Sequence, residues 1–423
     1  MFRQLISQVQ DLVDLHGFPT PPPPPVAPPS YFFHSQPPTT LPPPWPSQLH
    51  DDRKSKRTPK EPKRIETCGS KSNETMEEIW RYFPDDLYEA VIARLPIAAF
   101  FRFRSVCRNW NSLLTSDGFT SQCSQFRPPQ PWFYTITHEN VNSGAMYDPV
   151  SRKWHHPILP KIPTNTIFFP VASAGGLLCF LDIGHRTFYV CNPLTSSFKE
   201  LPTRSAKVWQ RVAVGMISEK SSGAYKIMWL SSNGEYEVYN SRNDRWQRLG
   251  TMPECIKLPL SLNLTLQVVA ADGWLYFLRS DPDGIVSFEM DSGVWKEYLI
   301  PFPPESRDHA LTECGGRIMM VGVVTKGPAS CVCVWELQKM TVLWTEVDRM
   351  PNVLCLELYG KHVKLSCLGN GGLVMFSLES KMTNRLITYD ILKKEWLKVN
   401  GCVRKGVWIA CGTAFHPSLT AMA

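Results

Sequence analysis

The residue types that do chemistry are present in this chain, but their spacing does not assemble them. His155 and His156 are adjacent, so on a strand they point to opposite faces and do not readily share a metal ion. Cys331 and Cys333 alternate on a strand and share a face, yet no CxxC pair or histidine accompanies them, so they read as core. Asp281-Pro282-Asp283-Gly284 opens like a calcium loop. Its twelfth position is Ser292 rather than a bidentate glutamate, and a proline holds the second, so the stretch reads as a turn. No P-loop, GxSxG elbow or dinucleotide fingerprint occurs. The expectation is a chain that is not an enzyme, with no catalytic, metal-binding or cofactor-binding residue and no cofactor.

At 423 residues the chain exceeds what one hydrophobic core usually organises, so two or more units are expected. Of the net charge of +7, residues 51–64 supply more than half, with seven basic residues against three acids. What remains is too little to mark the folded part as a nucleic-acid binder. No run approaches the ~18 apolar residues of a membrane span, and residues 1–17 lack the apolar core of a secretory signal. Thirteen cysteines without a framework spacing fit reduced, mostly buried thiols. The expectation is an intracellular protein of nucleus and/or cytoplasm, with no membrane or nucleic-acid partner.

The first 75 residues have no core-forming composition and are expected to be disordered. Residues 1–17 carry apolar positions that suit a transient amphipathic helix. Fourteen of the 37 prolines lie at or before Pro46, which favours extended polyproline conformations in a spacer; SH3 or WW grooves are the alternative reading. The basic clusters in 53–64 read either as solvated linker or as a nuclear localisation signal.

From Phe83 to Leu114 the texture becomes helical. Pro84 suits a helix start, Asp85 and Asp86 suit its positive dipole end, and Pro96 ends it. Between them Leu87, Val91, Ile92 and Leu95 form a narrow apolar face, Ala98 to Phe103 makes a second segment, and Val106, Trp110, Leu113 and Leu114 stripe a third. Three helices this small cannot bury that surface among themselves, so another part of the chain must cover them. Phe83-Pro84, Leu87, Leu95-Pro96, Arg102, Arg104-Ser105-Val106-Cys107-Arg108, Trp110-Asn111 and Leu113 together resemble an F-box, with Phe83 where leucine is commoner. The resemblance covers residues 78–123, and an F-box unit is expected at 76–125. What it implies is docking on the small Skp adaptor of cullin–RING ubiquitin ligases through Phe83, Pro84, Leu87, Ile92, Leu95, Pro96, Val106, Cys107 and Trp110. Cys107, conceivable as a ubiquitin-accepting thiol, is expected inside the F-box core and structural.

After Cys123 short β-rich runs take over, and they repeat. Six units each show a strand, a polar turn and an aromatic in the returning strand, the pattern of a hairpin. The aromatics are Trp154, Phe198, Trp246, Trp295, Trp344 and Trp396, spaced by 44, 48, 49, 49 and 52 residues. Glycine turns, at Gly175-Gly176, Asp272-Gly273, Gly315-Gly316 and Gly371-Gly372, precede apolar strands. A period near 50 with about four strands per unit resembles degenerate kelch repeats, as in plant F-box/kelch proteins. The expected fold is therefore a small all-α F-box followed, over 130–417, by an all-β propeller of about six blades, with the six aromatics packing between blades. Blade one lacks a strand before Trp132, and residues 407–412 are expected to supply it and close the ring.

The resemblance implies a substrate-recognition subunit of an SCF-type ubiquitin ligase, with the F-box on a Skp adaptor, a cullin behind it, and a protein target on the propeller. An adaptor-bound scaffold that never engages a cullin, or a non-ligase kelch interaction protein, is an alternative, as is a propeller enzyme acting on a small molecule in its channel. The latter calls for acids or histidines in channel-lining strands, where Val, Leu, Cys, Met and Phe are expected instead. Recognition is expected in the connections 160–170, 202–211, 253–263, 300–310 and 324–330.

Overall fold

The computed structural model describes residues 84–423, apart from 114–115, 127–130, 138–139, 158, 160–167, 183–184, 205–212, 220–221, 257, 259–267, 280, 339, 381–383 and 401–406. The expectations for residues 1–75 and for Phe83 lie outside the described residues.

Prolines punctuate the helical part as their chemistry requires. Pro84 stands in extended backbone before α1 (Asp85–Ala93), and Pro96 does the same before α2 (Ile97–Phe103). Next comes α3 (Arg108–Ser112), capped by Cys107, whose Sγ accepts a hydrogen bond from the Trp110 amide at 3.5 Å. A fourth helix, α4 (Asp117–Phe126), was not signalled by the apolar stripe of the third segment. Three expectations are corrected here. Val106 lies in the turn before α3, not on its stripe, and is 63% exposed. Cys107 is exposed, because a cap sits outside the helix it starts. The apolar face of α1 divides: Ile92 and Ala93 are buried, while Leu87 and Val91 face solvent at 47% and 53% exposure.

From Trp132 onward the chain builds six four-stranded antiparallel sheets. Blade one contains β1 (Trp132–Thr137), β2 (Asn140–Asp148) and β3 (Lys153–His155); blades two to six are β4–β7 (168–200), β8–β11 (213–251), β12–β15 (268–299), β16–β19 (306–349) and β20–β23 (364–398). The last strand, β24 (Val407–Phe415), pairs antiparallel with β1 and takes the innermost place of blade one. The ring therefore closes through the C-terminus, with a strand somewhat longer than the 407–412 expected.

A lone four-stranded sheet has two faces and nothing to bury them, so the core lies between neighbouring blades. Cys179 and Val190 of blade two meet Val214 and Ile227 of blade three. Val332 and Val334 of blade five likewise meet Val374 and Phe376 of blade six. The junction of blades one and two is larger. There Trp132, Tyr134, Phe168 and Phe180 share one core with Ile92, Ile97, Phe100 and Phe119 of the helices and with Leu419 near the C-terminus. Phe100 stacks on Phe119 with ring centres 5.4 Å apart. Part of the apolar surface that three small helices could not hide, around Ile92, Ile97 and Phe100, is covered by α4 and by this junction.

Candidate interaction surfaces

Antiparallel alternation assigns every turn to one of two faces. Turns joining the first and second strands of a blade, and the third and fourth, lie on one face. Turns joining the second and third strands lie on the other, with the connections from blade to blade. The glycine turns occupy the first face: Gly315 and Gly316, and Gly371 and Gly372, all have positive φ, as Asp272 and Gly273 do, which a tight two-residue hairpin of this hand needs. Trp132 and Phe415, register partners, stand on this face too, so the helices enter and the C-terminal segment leaves there. The strand ends that flank the stretches expected to carry recognition all stand on the opposite face, while residues 160–167, 205–211, 257 and 259–263 of those stretches lie outside the described residues. Their bounds change, since β4 (Phe168–Ala174) and β16 (Ser306–Cys314) begin inside two of them, and 324–330 is mainly a hairpin.

On the helical module the expected adaptor residues separate into two groups. Pro84, Leu87 and Val106 are exposed, joined by Val91 and Phe103, and the Phe103 and Trp110 rings lie 5.3 Å apart. Trp110 is partly buried against the shared core. Ile92 lies inside that core at 3% exposure, so it supports the surface without forming it. Leu95 packs on the same core, and with Pro96 it lines the mouth of the propeller's central cavity.

That cavity, about 820 Å³, is walled by the innermost strands of all six blades and flanked by the 94–97 turn and residues 416–419. Its lining contains the expected types at Val214, Met216, Leu311 and Cys367, with small residues beside them. The innermost strands precede the glycine turns rather than follow them, and they present small residues such as Ala172, Ser173, Gly215 and Ala270. The reason is crowding at the axis: a Cβ on Gly369 would overlap the Glu313 carbonyl oxygen of the next blade.

The six expected aromatics occupy equivalent positions at the start of the outermost strand, its second residue in five blades and its first, Trp295, in blade four, each opposite a third-strand partner. Trp154 faces Tyr147, Phe198 faces Cys191, Trp246 faces Tyr239, Trp295 faces Phe288, Trp344 faces Leu337 and Trp396 faces Tyr389. Three of the indoles donate to the preceding blade's end: Trp154 Nε1 to Asn400 O (3.3 Å), Trp246 Nε1 to Pro202 O (2.8 Å) and Trp396 Nε1 to Asp348 Oδ2 (3.2 Å). These rings join blades.

The candidate chemistry resolves into packing. His155 stacks on Trp132 at 5.3 Å, and burial lowers its pKa. Asp281 to Asp283 form the turn ahead of β14 (Gly284–Glu289). Cys331 does gain a neighbour invisible in sequence: its Sγ and that of Cys355 both donate to Met350 O, at 3.6 and 3.3 Å. Among the described residues no group of three or more His, Cys, Asp or Glu is placed to hold a metal ion.

Comparison with known proteins agrees with this architecture. Residues 80–122 match the F-box domain, and residues 146–368 match the KIB1-4 beta-propeller. F-box only protein 6 of Arabidopsis thaliana is 56% identical over 378 residues, spanning 87% of this chain and 81% of that protein. An F-box/kelch-repeat protein of the same plant is 42% identical over 358 residues (74% of this chain, 82% of the relative). The A. thaliana protein UNUSUAL FLORAL ORGANS is 27% identical over 373 residues (80% and 82%). Fold and matches define an F-box protein with a six-bladed propeller. More narrowly, the chain belongs to the family that couples an F-box to a KIB1-4 beta-propeller, together with F-box only and F-box/kelch-repeat proteins of Arabidopsis.

Proposed function

We propose that this chain is the substrate-recognition subunit of an SCF-type ubiquitin ligase, holding a Skp adaptor, and through it a cullin, with its F-box and a protein target with its propeller. The observation that carries the reading is the division of the helical module. One side is fused into the propeller core, while Leu87, Val91, Phe103 and Val106 remain exposed on a unit too small to tolerate that without a partner. Target recognition is assigned to the connection face, opposite the helices, so that adaptor and target do not compete. The chain then supplies proximity and orientation, turning a bimolecular encounter into a tethered one. Nucleus and cytoplasm are the proposed locations.

The test is co-purification. Replacing Leu87 and Val106 with Ser removes exposed apolar anchors and should weaken adaptor binding by on the order of 2 kcal/mol, about thirtyfold, with the melting temperature kept. Unchanged adaptor recovery rejects the adaptor surface, and adaptor without cullin in the wild-type complex favours a scaffold. The Leu95–Pro96 pair is a poorer choice of variant, because both line the cavity mouth and Leu95 packs on the shared core.

A further inference from the structure

Between blades five and six the chain does not pass directly from β19 (Leu343–Arg349) to β20 (Lys364–Asn370). On the connection face it forms a short helix, α5 (Asn352–Leu356), begun by Pro351. The segment is held down by Leu358, 3% exposed, and by the Gly360 amide, which donates to Pro328 O at 2.8 Å. Three apolar side chains point outward from it: Val353, Leu356 and Tyr359 are 73%, 71% and 58% exposed. Isolated exposed apolar residues need no explanation, but three within seven residues on one raised feature do.

Beside α5 lies a cavity of about 240 Å³, floored by Leu358, Leu378, Ile387 and Val399. It has room for a single large apolar side chain. Arg385 and Lys398, each about half exposed, stand on its rim and both pair with the Glu357 carboxylate, Arg385 Nε at 3.6 Å. Lys361 Nζ donates to the Glu357 carbonyl at 2.8 Å. Two cations thus share one carboxylate and a third, Lys361, is held by the backbone of the same residue, while nearby Lys364 is matched in register by Glu379. Lys398 first, then Arg385 and Lys361, hold the Glu357 carboxyl below its usual range, as pairing with cations does.

We propose that the α5 patch and its basic-rimmed cavity are a docking site for an acidic peptide segment of a protein partner, with one apolar side chain in the cavity and carboxylates on Arg385 and Lys398. The inference rests on the reading of the connection face as the target face, and it narrows that face to one place and one ligand chemistry. An apolar floor the size of one side chain suits a peptide anchor, and the cations, which outnumber Glu357, select the charge around it.

The test uses the full-length chain and short fluorescent peptides read by polarisation. One set carries a leucine flanked by glutamates, a second the same leucine flanked by lysines, and a third serine in place of the leucine between glutamates. The first set should bind at least about tenfold more tightly than either other, and its binding should weaken with salt. The double variant R385E/K398E should abolish the acidic preference, and V353S/L356S, which strips the exposed apolar patch beside the cavity, should weaken binding of the first set at least about tenfold. Because Val353 and Leu356 are exposed, the second variant decides the matter if the first lowers the melting temperature. Equal binding of acidic and basic peptides, binding indifferent to both variants, or no binding by any set overturns the site. Adaptor and cullin recovery is read on the same samples. A chain that recruits both without the acidic preference rejects this site alone, while a chain that recruits neither rejects the receptor reading alone.

Discussion

Trp132 and Phe415 are register partners at the point where the chain enters the propeller and the point where it leaves. Asn370 of blade six donates its side-chain amide to both of their carbonyls, at 2.7 and 2.9 Å. One hydrogen-bonded ladder and one amide clamp therefore close the ring.

Deleting residues 406–423 removes the inner strand of blade one and leaves the inner edge of β1 unpaired. The whole propeller should lose stability, not one edge. Limited proteolysis checks it: a truncated chain as resistant as the intact one rules the closure out. Asn370→Leu is the milder form, leaving two carbonyls short of a donor at a cost of roughly 1–3 kcal/mol, read as a lower urea midpoint.

Helices and propeller share one core, so they should unfold together. Phe119 of α4 is fully buried in that core. Phe119→Ala should cost about 3–5 kcal/mol and lower the stability of both parts. Coincident urea transitions of the helical circular dichroism and of tryptophan fluorescence are expected. Separate transitions would show that the helices fold alone.

His416, beside the closing strand, has its pKa lowered by burial, as do His155 and His309. A base whose folded pKa is depressed stays neutral in the native state and takes up a proton more readily when unfolded. Its stabilising contribution is complete above about pH 6.5, the unfolded value, and is lost as the pH falls through and below it. The melting temperature should drop between about pH 7.5 and 5, and His416→Gln should flatten part of that drop. An identical pH profile for the variant would exclude His416 as a contributor.

Two residues before each blade aromatic, the backbone has positive φ: Arg152, Ser196, Asp244, Gly293, Val342 and Lys394. Only one of the six is glycine. Val342 is the most strained, since β-branched residues rarely adopt this conformation, at a cost of about 1–2 kcal/mol. Val342→Asn should raise the melting temperature by about 1–2 °C, roughly what 1 kcal/mol gives in a unit of more than 300 residues. A fall would show that the Val342 side chain contributes more by packing than its backbone costs.

What the sequence determined by itself was periodic. Six aromatics near a 50-residue spacing announced six hairpins, because each must return an identical ring to an identical place between blades. The proline-punctuated stretch after Phe83 announced the F-box helices, since proline acts locally on its own backbone. Even the closure was legible, because blade one visibly lacked a strand that residues 407–412 could supply. What only the tertiary structure decided depends on which surfaces meet. The apolar face of α1 divided into Ile92 inward and Leu87 outward once the propeller took one side, and periodicity cannot say which neighbour covers which side. The small-residue lining of the channel follows from six strands converging on one axis, a crowding that no single strand encodes. The strained turns at Val342 and Lys394, with no glycine to mark them, are imposed by the register of the finished hairpins. Cys355 meets Cys331 because α5 folds back on the third strand of its own blade, and α5 lies beside Arg385 and Lys398 because blades five and six stand side by side.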